Sequence, residues 1–396
     1  MKILAQYGFG PKDKLDRGLS EGVISGVILS PRYLTPDKMR DQIELLRRPD
    51  VCIMMDPEFF ATASMRHAEP NLGTLEQWEY FRALRRAALI SGTAIPGIIE
   101  QSLQTQAKLG LDEWIAPNVY IREADSIDTG IALNFLAQSK VVASKIGAAP
   151  VFATLAIDRD TIMNDGEFRD ILDALTAIEN PPDGYYVLVG SSVARDSESQ
   201  VRSDICHPQV IAGWMYTNYV LSINGARVLN GYCHLLSPLL GISGAEAGAS
   251  GWFSGLRQFS MNKYSREVGG GRYPLVRYVS TPLLSHIKQT DLDAFKAVVP
   301  EIATGLAQDA AYDGQEPSRT EEALQSWAAL GVLCQEYCTG DTRGDIKRFK
   351  NHIDRAVELW SEIQEAGFTQ DVEPNLERLE AMQAGINLFE QWAELV

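Results

Sequence analysis

The sequence predicts an α/β protein: a (β/α)8 TIM-like barrel over residues 1–282, followed by an acidic all-helical extension over residues 283–396. Three observations lead there. Short apolar β-prone runs alternate with longer helical stretches, which is the pattern of parallel β-α-β units. Eight such units fit into roughly 280 residues, as a closed barrel requires. From Pro282 onward the strand-like runs stop and helical apolar spacing takes over.

The eight runs follow in order. The first is Ile3–Tyr7, the second Val27–Leu29, and the third Val51–Met55, which ends in Asp-Pro-Glu. A long helical region containing Leu75–Leu89 and Ile98–Leu109 separates it from the fourth, Trp114–Ala116. A helix over Ile127–Ile146 leads to the fifth run, Pro150–Ile157, and one over Phe168–Ile178 to the sixth, Tyr185–Val189. Val210–Ile223 is helical and precedes the seventh, Arg227–Tyr232; Leu240–Ala247, rich in glycine and alanine, is the eighth. The rival fold, an open doubly wound sheet, calls for a glycine-rich phosphate turn after the first strand. Gly8-Phe9-Gly10-Pro11 lacks the third glycine and carries proline where a helix N–H should face phosphate. The extension reads as helices over Leu292–Ala310, Glu321–Tyr337, Asp345–Glu365 and Leu376–Leu395.

Composition narrows the function classes. With 45% hydrophobic and 22% charged residues the chain has an ordinary globular make-up. No run of 18 apolar residues is present, and the opening apolar stretch is too short for a secretory core. No membrane span is therefore expected. Five cysteines (Cys52, Cys206, Cys233, Cys334 and Cys338) are an odd, sparse set. They argue for a reducing, cytoplasmic setting rather than a disulfide framework. A net charge of −16 disfavours non-specific coating of nucleic acid, though not a local basic site.

In barrels the working residues lie at the C-terminal strand ends and in the loops that follow. Those positions hold Gln6, Tyr7, Ser30, Arg32, Asp56, Glu58, Asn118, Arg122, Asp158, Ser191, Ser192, Asn230, Tyr232, His234, Glu246 and Ser250. Asp56, Glu246 and His234 are the candidate catalytic residues, and Arg32, Asn118 and Asp158 candidate substrate contacts. Asp56 comes first, because a carboxylate leaving the barrel interior at a proline-stopped strand end is partly desolvated, as a catalytic acid or base needs. The same residue could instead cap the next helix or pair with Arg32. His234 titrates near neutral pH and suits proton transfer, or a structural hydrogen bond. Asp56, Glu58, Asp158 and Glu246 offer oxygen ligands for Mg²⁺, while no CxxC pattern suggests zinc. No cofactor is indicated.

One stretch reverses the charge of its surroundings. Gly248–Ser280 carries Arg257, Lys263, Arg266, Arg272 and Arg277 against the single acid Glu267. Interleaved with them are Trp252, Phe253, Phe259, Tyr264, Tyr273 and Tyr278, with three glycines at 269–271. Forked guanidinium donors suit phosphate and aromatic faces stack on bases, so Arg257, Arg272 and Trp252 are expected to bind a nucleotide or a nucleic-acid base at the barrel mouth. Alternatively, the cations pair with the acidic extension.

The run Ile53-Met-Met-Asp56-Pro-Glu-Phe-Phe60 resembles the apolar-Asp-Ser-Gly-Gly-Phe signature of the tRNA-guanine transglycosylase-like barrels. Asp56 and Phe60 align; both glycines and the family's zinc cysteines are absent. The resemblance implies a diverged member that handles a base or nucleotide, with Asp56 at the base-exchange position. Two other readings fit the same residues. One is a non-catalytic barrel that docks a protein partner through residues 283–396. The other is a small-substrate hydrolase or lyase using Asp56 with Glu246.

Overall fold

The computed structural model describes residues 1–66, 69–83, 85–191, 205–265, 275–369 and 372–395. Eight parallel strands carry the fold: β1 (Lys2–Gln6), β2 (Gly26–Leu29), β3 (Cys52–Met55), β4 (Trp114–Ala116), β5 (Val151–Asp158), β6 (Gly184–Ser191), β7 (Arg227–Asn230) and β8 (Ala247–Ser250). Their ladder order is β3-β2-β1-β8-β7-β6-β5-β4, every neighbouring pair parallel. Strands β3 and β4 lie alongside without a ladder, which leaves a nearly closed barrel with one unzipped seam among the described residues.

The crossovers are helical, and their ends follow local chemistry. Pro36–Leu46 starts on Thr35, whose hydroxyl accepts from the Lys38 N–H, with proline in the first turn. Ser126 caps Ile127–Ile146 in the same way. The expected helix over Leu75–Leu89 is instead a 3-10 turn at Leu75–Gln77 and a short helix at Arg86–Ile90. The reason is tertiary: Trp78, Tyr80 and Phe81 are buried there, and Trp78 donates its indole N–H to the Pro31 and Leu34 carbonyls.

The eighth strand is displaced from the expected Leu240–Ala247. Ser237–Ile242 is a helix, and the strand is Ala247–Ser250. Leu239, Leu240 and Ile242 have the apolar content of a strand but are spent on a helix face, whereas the true strand, Ala-Gly-Ala-Ser, has no β-branched residue to announce it. Small residues are required: a Cβ on Gly248 would come within 2.8 Å of the Cys233 sulfur.

Beyond the barrel, two further strands form an antiparallel hairpin, β9 (Arg277–Ser280) and β10 (Ser285–Lys288). It straddles the expected boundary at 282 and places a strand where only helices were anticipated. The helices that follow are α1 (Gln289–Val298), α2 (Arg319–Tyr337), α3 (Thr342–Glu365) and α4 (Val372–Trp392). The expected Leu292–Ala310 helix breaks at Val299-Pro300, because proline cannot continue the ladder.

These helices share cores with the barrel. Trp327, Leu330 and Cys334 of α2 pack in one cluster with strand residues. Trp360 and Phe389 join the helix Pro208–Ile223 in another. Polar links match: Trp327 donates to the Ser250 carbonyl at 2.9 Å, and Gln325 satisfies both the N–H and the carbonyl of Val279. No helix among the described residues is long and apolar enough to cross a membrane.

Candidate active site

Asp56 follows β3 directly and is fully buried. One carboxylate oxygen accepts from the Glu58 N–H at 2.9 Å, the turn that Pro57 sets. The other faces the Tyr186 hydroxyl of β6 at 3.3 Å, which lies equally far from the Gln6 side-chain oxygen of β1. Strand β6 neighbours neither β1 nor β3, so these contacts cross the barrel interior. Gly231 makes room for them: a Cβ there would lie 2.6 Å from the Tyr186 oxygen.

Glu58 is buried beside Asp56 and is far better supplied with donors. It accepts from Ser30 at 2.8 Å, Tyr264 at 2.7 Å, the Arg32 N–H at 3.3 Å and the Lys263 ammonium at 3.3 Å. Burial, reinforced by the charge of Glu58, pushes the Asp56 carboxyl up to about 7, with Lys263 opposing. A carboxyl titrating there reverses its hydrogen bond with Tyr186, whose phenol is kept protonated by burial and by the Asp56 charge. When protonated it donates to the phenol oxygen and the phenol donates to Gln6; when ionised it accepts from the phenol. The Gln6 amide nitrogen is buried and without a partner.

Above this centre lies the segment Phe259–Ser265. Phe259–Ser260 pairs in parallel with Gly190–Ser191 at the end of β6. Lys263 then points inward, its ammonium 2.8 Å from the Tyr232 hydroxyl and over the rings of Tyr232, Tyr264 and Phe259. Burial lowers its pKa, and Glu58 and Asp56 hold it up. Phe259 packs against Phe60, Tyr120 and Tyr232, roofing the mouth with aromatic rings. Glu58, Tyr232 and His234 have φ of 48°, 57° and 34°. Left-handed backbone at these three non-glycine residues past the strand ends is local strain.

The other expected site residues distribute as follows. Arg32 ties loops together, donating to the Asn71 and Lys263 carbonyls and to Tyr33, so it holds the roof in place rather than facing a substrate. Asn118 donates to the Thr154 carbonyl and accepts from Val119, a backbone brace. Asp158 accepts from Tyr120 at 2.9 Å and from the Asp160 N–H, capping Arg159–Met163. Trp252 is buried edge-on to Tyr7 and to Trp327 of α2, with its N–H on the Phe9 carbonyl; it belongs to the seam between barrel and extension. Arg257 pairs with Glu322 of α2 at 3.6 Å, the alternative role foreseen for these cations. Ser192, Arg272, and the stretch 266–274 as a whole lie outside the described residues.

Glu246 requires correction. It precedes β8 instead of ending it, so it sits at the opposite, N-terminal end of the barrel. There it grips Arg227, which also pairs with Glu113, and it lines a cavity of about 440 Å³ with Lys2, Arg48 and Cys52. Asp56 and Glu246 therefore lie at opposite ends of the barrel and do not meet at one site. The Mg²⁺ set fails for the same reason. Among the described residues no three His, Cys, Asp or Glu side chains are grouped to hold a metal.

His234 likewise stands apart from Asp56. Its Nδ1 lies 2.8 Å from the Ser250 hydroxyl, and its Nε2 meets Nε2 of His286 on β10, the rings stacked at 4.5 Å. Asp56, Glu246 and the neighbouring His234 and Arg257 thus fall in three different places. Sequence reasoning missed Tyr186, the inward turn of Lys263, and His286. The first sits in an alternation that marks only a buried strand; the other two depend on chain segments far away in sequence.

Compared with known proteins, the chain matches no family profile, no curated protein and no solved structure.

Proposed function

We propose that this chain is a TIM-type barrel enzyme that transfers a proton through Asp56 to or from a planar, carbonyl-bearing heterocycle. The expected substrate is a nucleobase or nucleotide base, handled as by a diverged tRNA-guanine transglycosylase-like barrel. The observation that carries the reading is the Asp56–Tyr186–Gln6 relay. A carboxyl held near neutral pKa is coupled to a buried amide donor that lacks an acceptor. A ring carbonyl would supply that acceptor, and a buried donor left unsatisfied is costly enough to favour such a ligand. Phe60, Tyr232, Phe259 and Tyr264 provide the faces on which a planar base stacks. Glu58 stays in its donor set and keeps Lys263 in position.

The test uses the full chain. Guanine, adenine, cytosine and uracil, free and as nucleosides, are screened by thermal shift, since a ligand that binds only the folded state raises its melting temperature. Labelled free base is then followed into nucleoside or tRNA. One base should bind, and Asp56→Asn should cut exchange by about 100-fold or more while leaving that binding within a few-fold. Unchanged exchange in Asp56→Asn, or no binding by any base, would falsify the assignment.

A further inference from the structure

A second site is written in charge at the seam between barrel and extension. Its residues form one chain of contacts drawn from elements remote in sequence. Arg378 of α4 donates to the Leu284 carbonyl at 2.5 Å. Two residues on, His286 of β10 stacks on His234, which follows β7, and His234 meets Ser250 at the end of β8. The next carbonyl, Gly251, accepts from Arg257 at 3.2 Å. Arg257 reaches Glu322 of α2.

The inventory of charge along this chain is one-sided. Glu322 is shared by Arg257 and Arg319 and accepts from the Arg277 N–H as well. Arg257, Arg277 and Arg378 all repel a proton on His286, and Arg257 and Arg378 do the same to His234. Around Arg378 itself, Cys206 is the group that favours its charge. In a protein of net charge −16, the guanidiniums of Arg257 and Arg378 and two imidazoles lie along this seam, and of the two guanidiniums Arg257 has the Glu322 carboxylate while Arg378 holds a backbone carbonyl. Two of their nitrogens are buried without a partner, Arg378 Nε and His286 Nδ1. When His234 donates between the two rings, His286 carries its proton on that unpaired Nδ1. Arg378 and His286 are half-buried, and His234 beneath them is buried.

We infer that Arg378, His286, His234 and Arg257 form a binding site for a phosphate group at the junction of barrel and extension. A dianion neutralises the cationic excess, takes up the unpaired N–H donors, and allows the histidine pair to accept a proton. Guanidinium and imidazolium donors are the residue types that recognise phosphate oxygens. The position, beyond the ends of β7 and β8, is where barrels place phosphate most often. The site involves no residue of the Asp56 centre and does not depend on the chemistry proposed there.

The experiment compares sodium phosphate, sodium sulfate and sodium chloride at matched ionic strength, by calorimetric titration and thermal unfolding of the full chain. Adenosine and guanosine monophosphates form a further arm. Phosphate should bind saturably and raise the melting temperature above that in chloride. Sulfate, which keeps its charge throughout, should bind more tightly at pH 6 than at pH 8, because the histidines gain a proton on binding. Arg378→Gln and His286→Gln should each weaken phosphate by tenfold or more. Arg355→Gln, on the outer face of α3, and Asp56→Asn should leave it unchanged. Tighter binding of the monophosphates would identify a phosphate ester as the ligand; equal binding would identify free phosphate. Identical behaviour in phosphate and chloride overturns the inference from the parent protein alone, whatever the variants do. So does a folded Arg378→Gln that binds as the parent does.

Discussion

Asp56 and the histidine pair are buried titratable groups of opposite sign, and they give opposite dependences of stability on pH. Burial raises the Asp56 carboxyl to about 7 from an ordinary 3.8, so the folded state holds a proton that the unfolded chain releases. Its contribution is full below about pH 4 and is lost as pH rises through 7. Asp56→Asn, which mimics the protonated form, should therefore be more stable than the parent at pH 8 by about 4 kcal/mol. The gap should shrink as pH falls through 7 and close only below about pH 4. Urea unfolding at several pH values measures it, and a gap that widens on acidification would contradict the burial argument. For His234 and His286 burial lowers the pKa, so the folded state holds fewer protons than the unfolded one. Stability is present above about pH 6.5 and falls as pH drops below it. In phosphate-free buffer His286→Gln should flatten that acid limb; an unchanged slope would show that the pair does not control it.

At the scale of elements, two joints bear on the site. Gly231 permits the close approach of β7's end to Tyr186. Gly231→Ala should cost about 1–3 kcal/mol, because the methyl meets the phenol oxygen and the Leu188 side chain in a filled interior. Chemical denaturation would read this directly, and a neutral result would mean that Tyr186 can move aside. The hairpin β9–β10 is fastened by Gln325, whose amide closes on both backbone groups of Val279. Gln325→Leu fills the volume but leaves a buried N–H and carbonyl unpaired, a loss of roughly 2–4 kcal/mol. Hydrogen exchange at Val279 should accelerate along with global unfolding. Slow exchange there would show that another group takes over the pairing.

For the whole molecule, the extension completes the core. Trp327 lies among strand residues and Trp360 among the outer helices, so residues 1–282 alone would expose large apolar surfaces on both sides. A chain ending at 282 should lose cooperative unfolding and near-ultraviolet circular dichroism while keeping helical signal; a sharp two-state transition would establish the barrel as independent. The apolar faces of α2, α3 and α4 are used internally, which accounts for helices that look partner-ready in sequence but are packed on their own barrel.

Much of the architecture was legible from local chemistry. Seven of the eight strands announce themselves as apolar runs, because a strand buried on both faces needs apolar residues throughout. Asp56 was legible because a carboxylate between such a run and a proline has one natural place, the rim of the barrel. Position relative to a strand was not legible where the strand is silent. Ala247–Ser250 has small residues chosen for what lies opposite, so its start could not be located, and Glu246 was assigned to the wrong end of the barrel. Partnership was illegible throughout: Tyr186 meets Asp56 across 130 positions, His234 meets His286 across 52, and Arg257 meets Glu322 from another helix. The sequence by itself determined the alternation of strand and helix, the acidic extension and the carboxylate at the third strand's end, since these follow from periodicity and turn chemistry within a few residues. Only the tertiary structure decided which buried groups share a proton, which cations find a carboxylate and which do not, because those pairings depend on barrel closure and on the return of the extension onto it.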